Sequence, residues 1–172
     1  MQEIDFKTLS LKDALDLAIL IEEEAEERYR EFVHQMETHD TPGVARFFRF
    51  MAVTEAKHGK ELAKRREKLF GDAPREVERA MIFDVEAPEF YRARAFMSVT
   101  EALDLADDAE KKAYAFFDAA LPELEDSEVR ELFAELREEE IEHIDLVKKV
   151  REKVAVEPDF DPEDFIDAPH GQ

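Results

Sequence analysis

Cysteine and tryptophan are absent from this 172-residue chain, and glycine is scarce, with four residues. Without cysteine there is no disulfide scaffold, no thiol active site, no Cys-ligated zinc and no iron–sulfur or rubredoxin-type centre. No apolar run approaches the ~18 residues that a transmembrane helix needs. The first residues, Met1-Gln2-Glu3-Ile4-Asp5, form no secretion-type apolar segment, so the expected location is the cytoplasm. Positive charge is also short: 24 Lys and Arg stand against 45 Asp and Glu, a net charge of −21. That balance disfavours nucleic acid, whose binding depends on neutralising phosphates, and it equally disfavours anionic membranes. What the chain does have is abundant Ala, Leu, Glu, Lys and Arg, the composition of a helical protein of one ordinary domain.

Four long helical patterns follow. The first runs from about Ser10 to Thr38, and the second from Pro42 to the stop signal Gly71-Asp72-Ala73-Pro74. The third spans about Ser98 to Leu121 before Pro122, and the fourth opens at Asp126-Ser127 and fades near Val154. Short links within each half predict two antiparallel hairpins. The link over residues 71–97 is long enough to cross the bundle, and a short helix near Arg75 to Met81 is expected within it. Residues 1–156 are thus read as one bundle and 157–172 as an acidic, proline-containing tail.

The two halves repeat one another. Leu9 to Ala18 aligns with Met97 to Ala106 at an offset of 88, a register that also pairs Glu22 with Glu110 and Tyr29 with Phe117. Past the shorter second loop the offset is 85, which pairs Phe48 with Phe133, Glu55 with Glu140 and His58 with His143. Each helix carries an apolar stripe in steps of three and four, and each stripe is broken near its middle by a polar group. The breaks are Glu22, then Glu55-Ala-Lys-His58, then Glu110, then Glu140-Ile-Glu-His143. In the second and fourth helices a carboxylate and an imidazole lie one turn apart on one face.

Glu22 precedes the first loop by about 17 residues and Glu55 follows it by about 15. At ~1.5 Å per residue both lie roughly 23–26 Å from it. Glu110 and Glu140 pass the same test, so four Glu and two His are expected in one layer. A buried Glu or His is costly unless something binds it. Carboxylates and imidazoles suit iron or manganese, and four Glu charges balance two divalent ions. The expected ligand set has Glu55 and Glu140 bridging, with Glu22 and His58 completing one metal and Glu110 and His143 the other. A single Glu-x-x-His in so acidic a chain would be read as a solvated helix face. Two in register with two further core Glu carry the assignment. Of Glu22-Glu23-Glu24, the last two are expected to face solvent, as are His34 and His39. Tyr29, seven residues after Glu22 on the same stripe, either acts on a ligand as a hydrogen-bond or electron donor or packs with its hydroxyl satisfied.

On these residues the chain, over roughly 8–154, resembles the ferritin-like superfamily and most of all its rubrerythrin (erythrin) branch. The resemblance implies an all-α, ferritin-like antiparallel four-helix bundle of two hairpins joined by a long crossover. It also implies a non-haem di-iron centre that reduces hydrogen peroxide or dioxygen, with Tyr29 beside it, in oxidative-stress defence or iron handling. Three departures qualify it. The chain has no Cys-rich rubredoxin domain, so electrons must come from a separate rubredoxin-like donor. The additional Glu that many rubrerythrins carry one turn after the third-helix ligand is Ala113 here, with Asp107 the nearest acidic substitute. The position after the second-helix Glu, a haem-ligating Met in bacterioferritins, is Ala56, so no haem is expected. Other readings stay open: a ferroxidase or iron-storage protein, a di-manganese catalase-like protein, and a metal-free helical interaction module. A homodimer is the expected assembly.

Overall fold

The structure, a computed structural model, describes residues 4–82 and 85–156. Four long helices dominate them: α1 (Leu11–Thr38), α2 (Pro42–Phe70), α3 (Val99–Ala120) and α4 (Ser127–Val156). No strand occurs among the described residues. None of the helices described is long and apolar enough to cross a membrane. The fold is the ferritin-like four-helix bundle.

Local chemistry sets the boundaries. The Ser10 side chain accepts from the Asp13 N–H and caps α1, and Ser98 with Glu101 forms a complete capping box on α3. Asp126 Oδ1 accepts from the Glu128 and Val129 amides, at 2.8 and 3.1 Å, and so caps α4. Pro42 occupies the first turn of α2, where its missing N–H costs nothing. At the other end Gly71 takes a positive φ of 54° that a side chain would oppose. A 3₁₀ turn, Leu121–Glu123, continues α3 through Pro122.

Helices pair most closely within the hairpins α1–α2 and α3–α4. Buried side chains separate into two apolar clusters. One joins Tyr29, Phe32 and Met36 of α1 to the start of α2, the start of α3 and the end of α4. The other joins Ala14 to Ile21 of α1 to Leu62, to Ala113 and Phe117, and to Val129 to Leu136. The helices therefore run up, down, down, up, and the crossover must travel the length of the bundle between α2 and α3. It does so in irregular backbone with 3₁₀ turns at Arg79–Met81 and Phe90–Arg92. The helix expected near Arg75–Met81 shrinks to the first of these turns. The chain is being stretched along the bundle at this point, and a helix would shorten its reach.

The crossover is anchored along its course. Arg28 of α1 donates to the Pro88 carbonyl at 2.6 Å, Gln35 to Ala93 at 3.2 Å, and Lys112 of α3 to Ala87 at 2.9 Å. Its first residues rest on a buried ion pair. Arg66 Nε donates to Asp16 Oδ1 at 2.8 Å and Nη2 to Oδ2 at 3.3 Å, and the same guanidinium donates to the carbonyls of Gly71 and Ala73. The repeat preserves this pair: Asp104 and Arg151, the equivalent residues, meet at 2.7 Å. The second copy is exposed, with side chains 57% and 36% accessible, and among the described residues no carbonyls beyond the helix end share its guanidinium as those of Gly71 and Ala73 share that of Arg66. Coverage by the crossover also overturns one expectation: Glu24 is buried, on a flank of α1 within the field of Arg79.

A pair deep in the structure and its surface copy should differ in consequence. Asp16→Ala, which strands the Arg66 guanidinium, is expected to cost about 3–5 kcal/mol. Asp104→Ala should cost no more than about 1 kcal/mol. Urea denaturation of the two variants beside the parent protein measures both.

Candidate metal centre

Between the two apolar clusters lies a layer of ionisable groups. Glu55 and Glu110 are fully buried, with Glu22, Glu140 and His143 nearly so. His58 is less covered, its side chain 19% exposed. All six residues expected at one height are brought together. His143 Nδ1 lies 3.2 Å from Glu110 Oε2, 3.8 Å from Glu140 Oε2 and 4.0 Å from Glu55 Oε2. Its Nε2 faces His58 Nε2 at 3.5 Å, with the rings edge to face and their centroids 4.8 Å apart. Close approach of α1 and α2 helps to set this geometry. A Cβ placed on Gly59 would meet the Glu22 Cβ at 3.3 Å, so glycine beside His58 lets Glu22 come in.

Tyr29 is wholly buried and donates a long hydrogen bond, 3.4 Å, to Glu110 Oε1. Burial and the neighbouring Glu110 and Glu55 carboxylates hold its hydroxyl well above the usual phenol range, so it stays a neutral donor. Phe117, its repeat partner, sits in the opposite cluster with no such role. Asp107 turns away and pairs with Lys111 at 2.6 Å, while Ala113 is packed in the apolar core. Among the other histidines, His34 is exposed and His39 is half-buried, 5.5 Å from the Phe96 ring. His170 and the tail residues 157–172 lie outside the described residues.

Two acidic groups were not anticipated from the sequence. Glu86, from the middle of the crossover, is 1% exposed and enters the layer from the side of α1 and α3. Glu139 of α4 lies 3.6 Å from His58 Nδ1 at the outer edge. Among the described residues, atoms able to hold an ion converge within 4.8 Å of one another in four groups: Glu22, His58 and Glu139; Glu55, Glu110 and His143; Glu22, Glu55 and Glu86; and Glu86, Glu110 and Glu140. A cavity of about 160 Å³ between α2 and α4, lined by His58, Arg65, Leu136 and Glu139 among others, opens onto the His58 edge.

Electrostatics make this layer unstable as a collection of anions. Glu22 Oε2, both oxygens of Glu55, both of Glu86 and Glu140 Oε2 are buried and accept no hydrogen bond. Burial first, and then the mutual repulsion of the carboxylates, push Glu22, Glu55 and Glu140 well above the usual carboxylate range. Glu86 is pushed to about 8 for the same reasons, although His143 and Lys112 pull it back. Burial lowers His143, but its hydrogen bond to Glu110 and the surrounding carboxylates outweigh this and raise it overall. Oxygen-rich orphaned donors with two imidazoles are what hard and borderline divalent ions require, and a metal pair would replace the protons that otherwise neutralise the layer.

A pH dependence follows for the metal-free protein. A carboxyl whose folded pKa is raised binds its proton in the folded chain at a pH where the unfolded chain has lost it. Stability is then full below the unfolded value near 4.5 and declines as pH rises towards the folded value, about 8 for Glu86. His143, also raised, acts in the same direction. Thermal unfolding of the chelated protein should show a melting temperature that falls between pH 5 and 8, and Glu55→Gln should raise stability at pH 8 by about 1–3 kcal/mol. Metal loading should abolish the fall.

The comparisons with known proteins agree with this geometry. The family model described as Rubrerythrin matches residues 13–151, a span that contains all of the layer. A crystal structure of an uncharacterized conserved protein from Magnetospirillum magnetotacticum MS-1 is similar to this chain at 29% identity and a TM-score of 0.66. The match covers 84% of this chain and 95% of that one. No curated protein matches. With the family model spanning most of the chain and the carboxylate–histidine layer inside that span, this protein belongs to the rubrerythrin family.

Proposed function

We propose that this chain is a non-haem di-iron oxidoreductase of the cytoplasm that reduces hydrogen peroxide or dioxygen. The observation that carries the reading is the buried layer in which six carboxylate oxygens accept no hydrogen bond while two imidazoles stand among them. Glu22, Glu55, His58, Glu110, Glu140 and His143 would hold two iron ions. Such a pair, when bound, would supply the two electrons for reduction of a small oxidant.

The chain's own residues do the rest. Two apolar clusters close the layer from both ends, which strengthens every charge interaction inside it and keeps bulk water away. The cavity at His58 and Glu139 gives a molecule the size of peroxide a way in on the side of α2 and α4. Reducing hydrogen peroxide to two waters takes two protons and two electrons. Tyr29 fixes the orientation of Glu110 through its hydroxyl, the kind of outer hydrogen bond that tunes a ligand. Electrons come from a separate donor of rubredoxin type, because the chain has no cysteine with which to hold such a centre itself. Exposed Phe90, Tyr91 and Phe96 on the crossover favour a homodimer. Iron is preferred over manganese on the family relationship. Manganese in the same ligands would point to a catalase-like reaction, and a hollow multimer would instead favour iron storage.

Anaerobic ferrous loading, followed by rapid mixing with peroxide or with dioxygen, tests the proposal. Two irons per chain should be taken up and oxidised together, and Glu55→Ala and Glu140→Ala should lose that stoichiometry. A parent protein that retains no stoichiometric iron would sink the reading. Tyr29→Phe should keep both irons and slow their oxidation roughly tenfold, which a single-turnover trace at 1:1 peroxide resolves.

A further inference from the structure

Glu86 stands apart from the rest of the layer. The six residues expected from the repeat come in pairs, one from each hairpin, whereas Glu86 comes from the crossover and has no counterpart. The chain passes the layer at this residue: Ile82 belongs to one apolar cluster and Ala93 to the other. Its carboxylate is 1% exposed, and neither oxygen accepts a hydrogen bond. Those oxygens lie within ligand-sharing distance of Glu22 and Glu55 on one side and of Glu110 and Glu140 on the other. The backbone just beyond is tied down from both flanks, with Lys112 donating to the Ala87 carbonyl and Arg28 to that of Pro88. Two attachments thus converge to hold an unpartnered carboxylate against both halves of the site. For a side chain that only filled space beside two apolar clusters, Leu or Met would avoid the desolvation cost.

We propose that Glu86 is a direct metal ligand, a fifth carboxylate that the crossover delivers to the α1–α3 side of the centre within reach of both metal positions. The inference rests on the two-metal reading above and adds to it. One consequence is a seventh protein ligand that has no counterpart in the duplicated hairpins. Another is that metal binding fastens the crossover to the bundle.

Anaerobic titration of the full chain with Fe(II), and separately with Co(II) as a visible-absorption probe, distinguishes a ligand from a merely neighbouring charge. Three variants are needed. Glu86→Gln keeps the shape and loses the charge, Glu86→Asp keeps the charge but shortens the reach by one methylene, and Glu86→Ala removes both. Their folding is checked by helical circular dichroism of the metal-free proteins, in which Glu86→Gln removes a buried orphan charge. For a ligand, Glu86→Asp should behave like Glu86→Ala. Each should weaken the second metal equivalent by ~10-fold or more and alter the intensity of the Co(II) bands, which follows coordination number. Wild-type affinity in Glu86→Asp with weakening in Glu86→Gln would show a charge that is not a ligand, and would overturn the proposal. Unchanged affinity and spectra in all three would overturn it as well, while leaving the six-residue centre standing. A wild-type chain that binds neither Fe(II) nor Co(II) would remove both the centre and this ligand.

Discussion

Mutual repulsion among buried carboxylates is the constraint around which this protein is built. Apolar packing alone would produce a more stable four-helix bundle without the layer, because each orphaned oxygen forgoes its hydration and gains no hydrogen bond. The bundle tolerates the layer because two substantial apolar clusters, one at either end, supply the stability that the middle consumes. Length serves the same purpose. Helices of 22 to 30 residues give several apolar turns on both sides of a single polar level. The site therefore sits where the fold is most rigid and driest, which is where fixed donors interact most strongly with an ion.

Much of this was legible in the sequence because the repeat supplies an internal ruler. Caps at Ser10 and Ser98, Pro42 in a first turn and Gly71 at a helix end are local signals, and the helices begin and end within a residue or two of them. The heights of Glu22, Glu55, Glu110 and Glu140 follow from counting residues from a loop, and regular helices make such counting reliable. Glu86 escaped because irregular backbone has no period to count. Its one clue is topological. A chain running from one end of the bundle to the other must cross the polar level near its midpoint, and Glu86 lies close to the middle of the link in the sequence. Burial of Glu24 was missed for the same reason: a periodicity argument sees four helices and not the strap laid across two of them.

The layer is also open in one direction and closed in another. His58 and Glu139 border a small cavity between α2 and α4, while the crossover seals the side of α1 and α3. A symmetric bundle of duplicated hairpins would have two similar faces. Connecting the hairpins through a single chain gives the centre a back and a front, and with them a direction for whatever enters and leaves.

Asp16–Arg66 and Asp104–Arg151 trace that asymmetry to its origin. They are the same two residues in the same register, kept through the duplication. In two separate hairpins assembled side by side, both pairs would lie at the surface. Joining the hairpins covered one pair with the returning chain and left the other in water. One pair thus does two different jobs: under the returning chain it anchors the start of the crossover, and at the surface it ties α3 to α4 alone.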